Sequence, residues 1–368
     1  MVCSTTRDVT LRVRFYQAWT ELPGAYDDLF AQAGARDFGL SRPWFELLAA
    51  TILAPDDRLC LVGAETLGGT PRALLVGIER RGRWAGRRFR SLANFYTMAW
   101  SPLLAQAMSP EPALDCLAEA FAAARPPFAE VHLEPLAVET GTALAAALDS
   151  AGFRTARYHR FGNRFEPVAG LSAATCLAAR PGHLRGTLKR KRGALRRAGR
   201  LGLRIVRSAG DLESAIADYG QLQAASWQGP EPYRRFLPEL SRLLAQAGHL
   251  RLGFLTLDGR PIAAQIWILH AGRALLYKLA HDRAFDCMSP GTVLTADMIG
   301  HLLDSGQVEE IDLGAGDQPW KALWAGEVRL REGVFALQRR SIRGRLAPGI
   351  EAARHLAAFL YGSRGSKP

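Results

Sequence analysis

Two segments of this chain repeat one order of strands and turns. RLCLVGAETLGGTPRALLVGIERRGRWAGRRFRSL spans residues 58–92, and RLGFLTLDGRPIAAQIWILHAGRALLYKLA spans residues 251–280. Each reads as an apolar strand, a glycine turn, a strand that opens at a proline, a second glycine turn and a third strand. Asp258-Gly259 and Ala271-Gly272 fit the two-residue turns of tight hairpins, where the backbone must enter left-handed conformations. Such a meander has to bury its faces under helices. The flanking order is the same in both halves: strand, helices, meander, helix, strand. The chain therefore reads as an internal duplication with a period of about 190 residues, and 368 residues suit two domains. Antiparallel hairpins, rather than strict alternation of strand and helix, indicate the α+β class.

The remaining elements follow from periodicity and end signals. In the first half, strands are expected at 11–16, 128–136 and 153–165. Helices are expected at 23–34, 43–52, 111–124 and 141–152, the first two with Pro near their start. In the second half, strands are expected at 203–208, 308–314 and 327–338. Helices are expected at 211–227 behind an Asp211 cap and at 289–306, with a helical stretch at 231–248 that Pro238 kinks or breaks. The boundaries are a first domain at 1–165, a basic connecting helix at 166–202, a second domain at 203–345 and a helical tail at 346–368.

The net charge of +12 and pI of about 10 suggest an anionic partner: a phosphate-rich cofactor, a nucleic acid or an anionic membrane surface. An arginine-rich codon bias gives the same total, so the distribution of charge matters more. Residues 179–202, ARPGHLRGTLKRKRGALRRAGRLG, hold nine Lys and Arg and no carboxylate. On a helix, Arg185, Lys189, Arg192 and Arg196 share one face, and Leu184, Leu188 and Leu195 mark another. Like charges at this spacing repel by a few tenths of a kcal/mol per pair. An anion would offset that, and so would simple solvation. Cys3, Cys60, Cys116, Cys176 and Cys287 are scattered, without a CxxC or a histidine cluster nearby. They indicate reduced thiols and no metal site. The N-terminus has no apolar signal core, and no apolar run reaches the roughly 18–20 residues of a membrane helix. A cytoplasmic location is expected.

The sequence has no GxxxxGK[ST], GxSxG or HExxH, which sets aside Walker-type nucleotide binding, serine hydrolysis of the nucleophile-elbow kind and zinc proteolysis. CMSPGTVLTADMI (287–299) is more suggestive. It follows a strand and opens a helix. Ser289 suits the cap, Pro290 the first turn, and Gly291 a close approach by ligand. With Thr292 and Val293 it offers N–H groups to a phosphate or pyrophosphate, although an ordinary helix start has the same residues. The preceding strand carries Tyr277, Lys278, His281 and Asp282. The segment DLGAGDQPWKALW (312–324) supplies Asp312, Asp317, Trp320 and Lys321. Lys278 and Lys321 are expected to bracket one site beside the helix start.

Taken in order, these residues resemble a known family: the KRKRGALRRAGRLGLRI helix, ASW at a helix end, PIAAQIWILHAGRALLYKLAHD, SPGTVL and DLGAGDQPWKALW. Over residues 180–340 the chain resembles the Fem-like branch of the GNAT acyltransferase superfamily, and in particular the acetyltransferase group associated with cellulose and exopolysaccharide synthesis. The first half is similar as a degenerate second copy. The resemblance implies two tandem GNAT-like domains, each a mixed, mostly antiparallel sheet flanked by helices. It implies transfer of an acyl group from acyl-CoA, such as acetyl-CoA, to an amine on a small molecule or on a glycan or lipid. SPGTVL departs from the superfamily's usual Gln/Arg-and-glycine loop. In the Fem enzymes the donor is aminoacyl-tRNA, but the inserted coiled-coil arm of those enzymes has no counterpart here.

The resemblance also implies that Lys321 assists at a substrate phosphate or at the developing oxyanion. Asp312 or Asp317 is then the candidate base, and Ser289, Gly291, Thr292 and Val293 the cofactor loop. Arg192, Trp227, Tyr277, Lys278, His281, Asp282 and Trp320 are the candidate substrate contacts. Non-catalytic binding of RNA, or peripheral contact with an anionic membrane, is the competing reading of the basic helix.

Overall fold

Both turns of the second meander are built as the dipeptides require. Asp258 and Gly259 have φ of 52° and 86°, and Ala271 and Gly272 have φ of 48° and 74°. Two successive positive φ values match the right-handed twist of the strands they join. The computed structural model describes residues 2–3, 10–82, 86–106, 109–227, 229 and 231–341. The helix expected at 346–368 lies outside the described residues. The chain divides into two units, Met1–Phe161 with Leu330–Pro368, and Gly162–Arg329. The late strand thus groups with the first unit from Leu330 onward, and the basic helix belongs to the second.

The first unit contains β1 (Val2–Cys3), β2 (Leu11–Tyr16), α1 (Asp27–Arg36), α2 (Arg42–Ile52), β3 (Asp57–Thr66), β4 (Pro71–Gly82), β5 (Gly86–Ser91), β6 (Leu103–Leu104), α3 (Glu111–Ala123), β7 (Phe128–Ala137), α4 (Val138–Ser150) and the first part of β8 (Phe153–Pro167). Strand order runs β1-β2-β3-β4-β5-β7, and then a late strand beside β8. The β3–β4–β5 meander is antiparallel, and β5 pairs with β7 in parallel. Phe128 meets Phe89 and Phe121 edge-on in its core, and those two rings are tilted against each other. Across β7 and β8 runs a polar chain that starts from the buried His132. His132 Nε2 lies 2.5 Å from the Tyr158 hydroxyl, that hydroxyl donates to Glu134, and Arg160 pairs with Glu134 at 3.1 Å. Burial holds the His132 imidazole down at about 4, against the upward pull of Glu134.

The second unit contains α5 (Ala173–Ala178), α6 (Gly182–Ala198), β9 (Leu201–Val206), α7 (Leu212–Ala225), α8 (Phe236–Gln246), β10 (Leu250–Leu257), β11 (Arg260–His270), β12 (Arg273–His281), α9 (Pro290–Asp304), β13 (Glu310–Ala315) and the start of β14 (Glu327–Gln338), the late strand named above. Its sheet runs β9-β10-β11-β12-β13, followed by residues 163–167 of β8. Again an antiparallel meander ends in a single parallel pair, β12 with β13. The duplication read from the turns is therefore repeated in the strand order of each unit.

β11 is buried on both faces from Ile262 to Leu269, and its side chains alternate between them. Gln265 and Trp267 face α9, where Gln265 donates to Thr295 Oγ1 at 2.7 Å and the Trp267 indole donates to Gln265 at 2.9 Å. Ile266, one residue out of phase, faces α7 and α8. Leu184, Leu188 and Leu195 of α6 are buried in one cluster with Trp267, Val293, Leu294 and Met298. The basic helix is thus held by an apolar stripe of about the expected period. Pro238 does not break α8. It sits in the first turn, where backbone N–H groups have no intrahelical acceptor and a missing one costs nothing. Asp211 stands at the start of α7 but makes no side-chain cap bond.

Candidate functional site

The parallel pair of the second unit is short. Arg273, Ala274 and Leu275 are matched with Glu310, Ile311 and Asp312, and the register ends there. β12 continues to His281, while β13 continues to Ala315 beside β8. A bulge in β12 accompanies the change: Leu276 pairs with Trp267 and Lys278 with Ile266, which leaves Tyr277 as the extra residue. Two parallel strands that stop pairing leave backbone donors and acceptors along their facing edges. Past Leu275, the edge of β12 leads through Asp282 and the 3-10 turn Arg283–Met288 directly into α9.

Ser289 precedes α9, but its side chain makes no cap bond. The expected Ser289 cap is corrected by its backbone: φ of 48° and ψ of 54° are left-handed, whereas a capping serine needs the extended region to reach the N2 or N3 amide. The first-turn N–H groups of Gly291 and Thr292 have no intrahelical acceptor. A Cβ added at Gly291 would meet nothing nearer than His281 Nδ1 at 3.8 Å, so the backbone is accessible to a ligand there. The Gly291 carbonyl accepts from Thr295 Oγ1 at 2.9 Å, and Val293 is buried under the core. Around this turn, His281 Nε2 lies 2.7 Å from Asp286, Asp282 accepts from the Ala284 amide at 3.0 Å, and Lys191 of α6 donates to the Cys287 carbonyl. The helix dipole and the Lys191 ammonium favour an anion here, against the Asp282 and Asp286 carboxylates.

The segment after β13 is tied from within. Gly314 and Gly316 have φ of 71° and 91°, so the chain turns where side-chain-bearing residues would be strained. Asp312 is buried and accepts from the Gly314 amide at 2.8 Å and from Asn163 Nδ2 at 2.7 Å, with Arg273 3.8 Å away. Lys321 is 5% exposed, and its ammonium donates to the carbonyls of Gly314, Ala315 and Gly316 at 3.2, 2.6 and 3.2 Å. Burial brings its pKa down to about 8, against the opposite pull of Asp312 and Asp317. The sequence led us to expect Lys321 as a donor to ligand. Its three N–H groups are directed at the loop instead, which makes it the clamp that shapes residues 314–316. Asp317 pairs with Arg164, and the Trp320 ring lies 5.7 Å from the Lys321 ammonium. Trp324 is buried in the core.

Other expected neighbours are separated. Lys278 shares the register position of Ile266, hence the α7–α8 face, and its ammonium donates to Glu231 at 2.9 Å. It lies across the sheet from the start of α9, so the expected bracketing of one site by Lys278 and Lys321 does not hold. Tyr277 is buried and Trp227 is 57% exposed. Arg192 pairs with Asp297 of α9, whose carboxyl is raised by burial despite that pairing. Arg185, Lys189 and Arg196 remain exposed, so the expected cationic face keeps three of its four members. The roles of Gln265 and Asn163 were missed. A lone glutamine inside the apolar run PIAAQIWIL was the available signal for the first. Nothing local marked Asn163, whose partners stand about 150 residues away.

Among the described residues no group of His, Cys, Asp and Glu could hold a metal ion, and no helix is long and apolar enough to cross a membrane. No curated protein matches the chain. Among solved structures it is similar to FemX (TM-score 0.60, 10% identity, covering 90% of this chain and 99% of that one). It is also similar to the C-terminal domain of a putative lysylphosphatidylglycerol synthetase from Agrobacterium fabrum (TM-score 0.52, 16% identity, 85% and 91%). A conserved protein of unknown function from Bacteroides thetaiotaomicron VPI-5482 has the same fold (TM-score 0.57, 11% identity, 89% and 100%). At these identities the likeness is one of fold. Residues 182–322, from the start of α6 to the Lys321 clamp, match the acetyltransferase (GNAT) domain family, and it is this domain that holds the separating strands and the open helix start.

Proposed function

We propose that the protein is an N-acyltransferase that moves an acyl group, acetyl in the simplest case, from acyl-CoA to an amine on a small molecule, a glycan or a lipid. Envelope or exopolysaccharide metabolism is the proposed setting. The observation that carries this reading is the end of β12–β13 pairing after Leu275 and Asp312, with β12 leading straight into the start of α9. An extended amide-bearing arm can pair with a strand edge, and a pyrophosphate suits the free amides of Gly291 and Thr292. In the reaction, the amine lone pair attacks the thioester carbonyl, the C–S bond breaks, and the thiolate leaves with a proton taken from the attacking nitrogen. Asp317, which follows the clamped loop and pairs with Arg164, is the proposed base acting through water. Asp312 and Lys321 hold the loop. Most of the acceleration then comes from positioning and from dipoles aimed at the oxyanion.

A second reading, transfer from aminoacyl-tRNA, is favoured by the exposed cations Arg185, Lys189, Arg196 and Arg197 of α6. A thermal-shift screen separates the two. Acetyl-CoA at 100 times its Kd is expected to stabilise the protein by about 2.7 kcal/mol. Gly291→Glu, which sets a carboxylate against the pyrophosphate, is expected to weaken that effect at least about 10-fold in Kd, since like charges repel strongly at short range. Stabilisation by charged tRNA with a steep salt dependence, and none by any acyl-CoA, would overturn the acyl-CoA reading.

A further inference from the structure

The second unit has a cleft of about 290 Å³ on the face of its sheet opposite α9. Ile216, Gly220 and Ala224 of α7 and Leu237 and Pro238 of α8 line it, above the fully buried Leu252 and Ile266. The mouth is polar. Glu231 lines it, but its carboxylate is engaged by Lys278 at 2.9 Å. Arg234 also lines it, is exposed, and has no ion pair among the described residues. The charges of Glu231 and Lys278 cancel, so the mouth keeps the single positive charge of Arg234. The polar side chains deeper in are satisfied within the protein: Gln223 donates to the Gly229 carbonyl at 3.0 Å, and Ser241 donates to the Leu237 carbonyl at 2.9 Å. They ask nothing of a ligand. Gly220 stands in the middle of a 14-residue helix, where glycine is unfavourable relative to alanine. A Cβ there would meet no atom within 4 Å, so packing does not require the glycine. What its absent side chain leaves is room.

We infer that this cleft between α7 and α8 is a binding site for a medium-length aliphatic carboxylate, with the chain against Ile216, Ala224 and Pro238 and the carboxylate on Arg234. The volume is that of about ten water-sized groups at ~30 Å³ each, which suits a chain of similar length. Apolar walls with one convergent charged group are the usual composition of a small-molecule site. The planar guanidinium matches a carboxylate with two parallel hydrogen bonds. The site does not depend on the proposed transfer activity, because it lies across the sheet from α9.

Isothermal titration of sodium decanoate into the full chain tests this, with acetate and decanol as probes lacking tail and head. Decanoate is expected to bind saturably at one site, while acetate gives no saturable heat and decanol binds at least tenfold more weakly. Arg234→Ala is expected to weaken decanoate at least tenfold. Gly220→Leu, which projects into the cleft, is expected to abolish binding while leaving the Tm equal to or above that of the wild type. Gly220→Ala gives a second check that α7 is intact. Absence of saturable decanoate binding, or an affinity unchanged by Gly220→Leu or by Arg234→Ala, would overturn the proposal.

Discussion

Lys321→Met is expected to destabilise the protein by about 2–6 kcal/mol and to slow the proposed transfer about 100-fold. Three carbonyls lose charge-assisted donors worth about 1.5–3 kcal/mol each. Against this, methionine removes an ammonium whose burial lowers its pKa from 10.5 to about 8, a relief of about 3 kcal/mol. Displacing the 314–316 loop by about 1 Å is enough for the rate effect. Lys321→Arg should not rescue either quantity, because a planar fork cannot aim at three carbonyls converging on one point. The pH dependence identifies the cause. Between about pH 8 and 10.5 the unfolded chain holds the Lys321 proton and the folded chain has released it. Wild-type stability therefore rises with pH across that window, relative to the methionine variant, by up to about 3 kcal/mol. Urea unfolding of both proteins at pH 7.5 and 10 measures the difference. Parallel stability curves, with an unchanged transfer rate, would remove the clamp from the mechanism.

The second large effect lies in the first unit and runs toward acid. The His132 ring is fully buried and titrates near 4 when folded, against 6.5 when exposed. Between these values the unfolded chain binds a proton that the folded chain refuses. The contribution is complete above pH 6.5 and is lost as the pH falls toward 4, by about 3 kcal/mol. His132→Gln, which keeps a polar partner for Tyr158 but has no proton to take up, is expected to flatten that part of the stability curve. Denaturant unfolding from pH 4.5 to 7 reads it directly. An acid slope that persists undiminished in the variant would assign it to other groups.

Much of the site was legible because it is local in sequence. The turn dipeptides at 258–259 and 271–272 announced the meander. Leu184, Leu188 and Leu195 announced which side of α6 would be buried, and SPGTVL announced a helix opening beside a strand end. These signals depend on backbone preference and on the helical or strand period, both of which act over a few residues. The misplacements share the opposite property. Lys278 and Lys321 look alike as lysines near strand ends. A one-residue bulge at Tyr277 decides which face Lys278 takes, and no composition rule signals a bulge. Arg192 sat correctly on the cationic face, yet meets Asp297, a partner about 100 residues away. Ser289 had the right chemistry for a cap and the wrong φ to use it.

What the amino-acid order determined by itself was therefore the inventory: two meanders, their covering helices, a basic helix with an apolar stripe, and a glycine-rich segment ending in Lys321. Each is set by interactions between neighbours in the chain, which act the same way wherever the segment ends up. Only the tertiary structure decided that β12 and β13 stop pairing after three positions, that Lys321 turns its ammonium onto its own loop, and that Gly220 opens a cleft. Those outcomes depend on which atoms from distant segments compete for the same space and the same hydrogen bonds, and that competition exists only once the chain has packed.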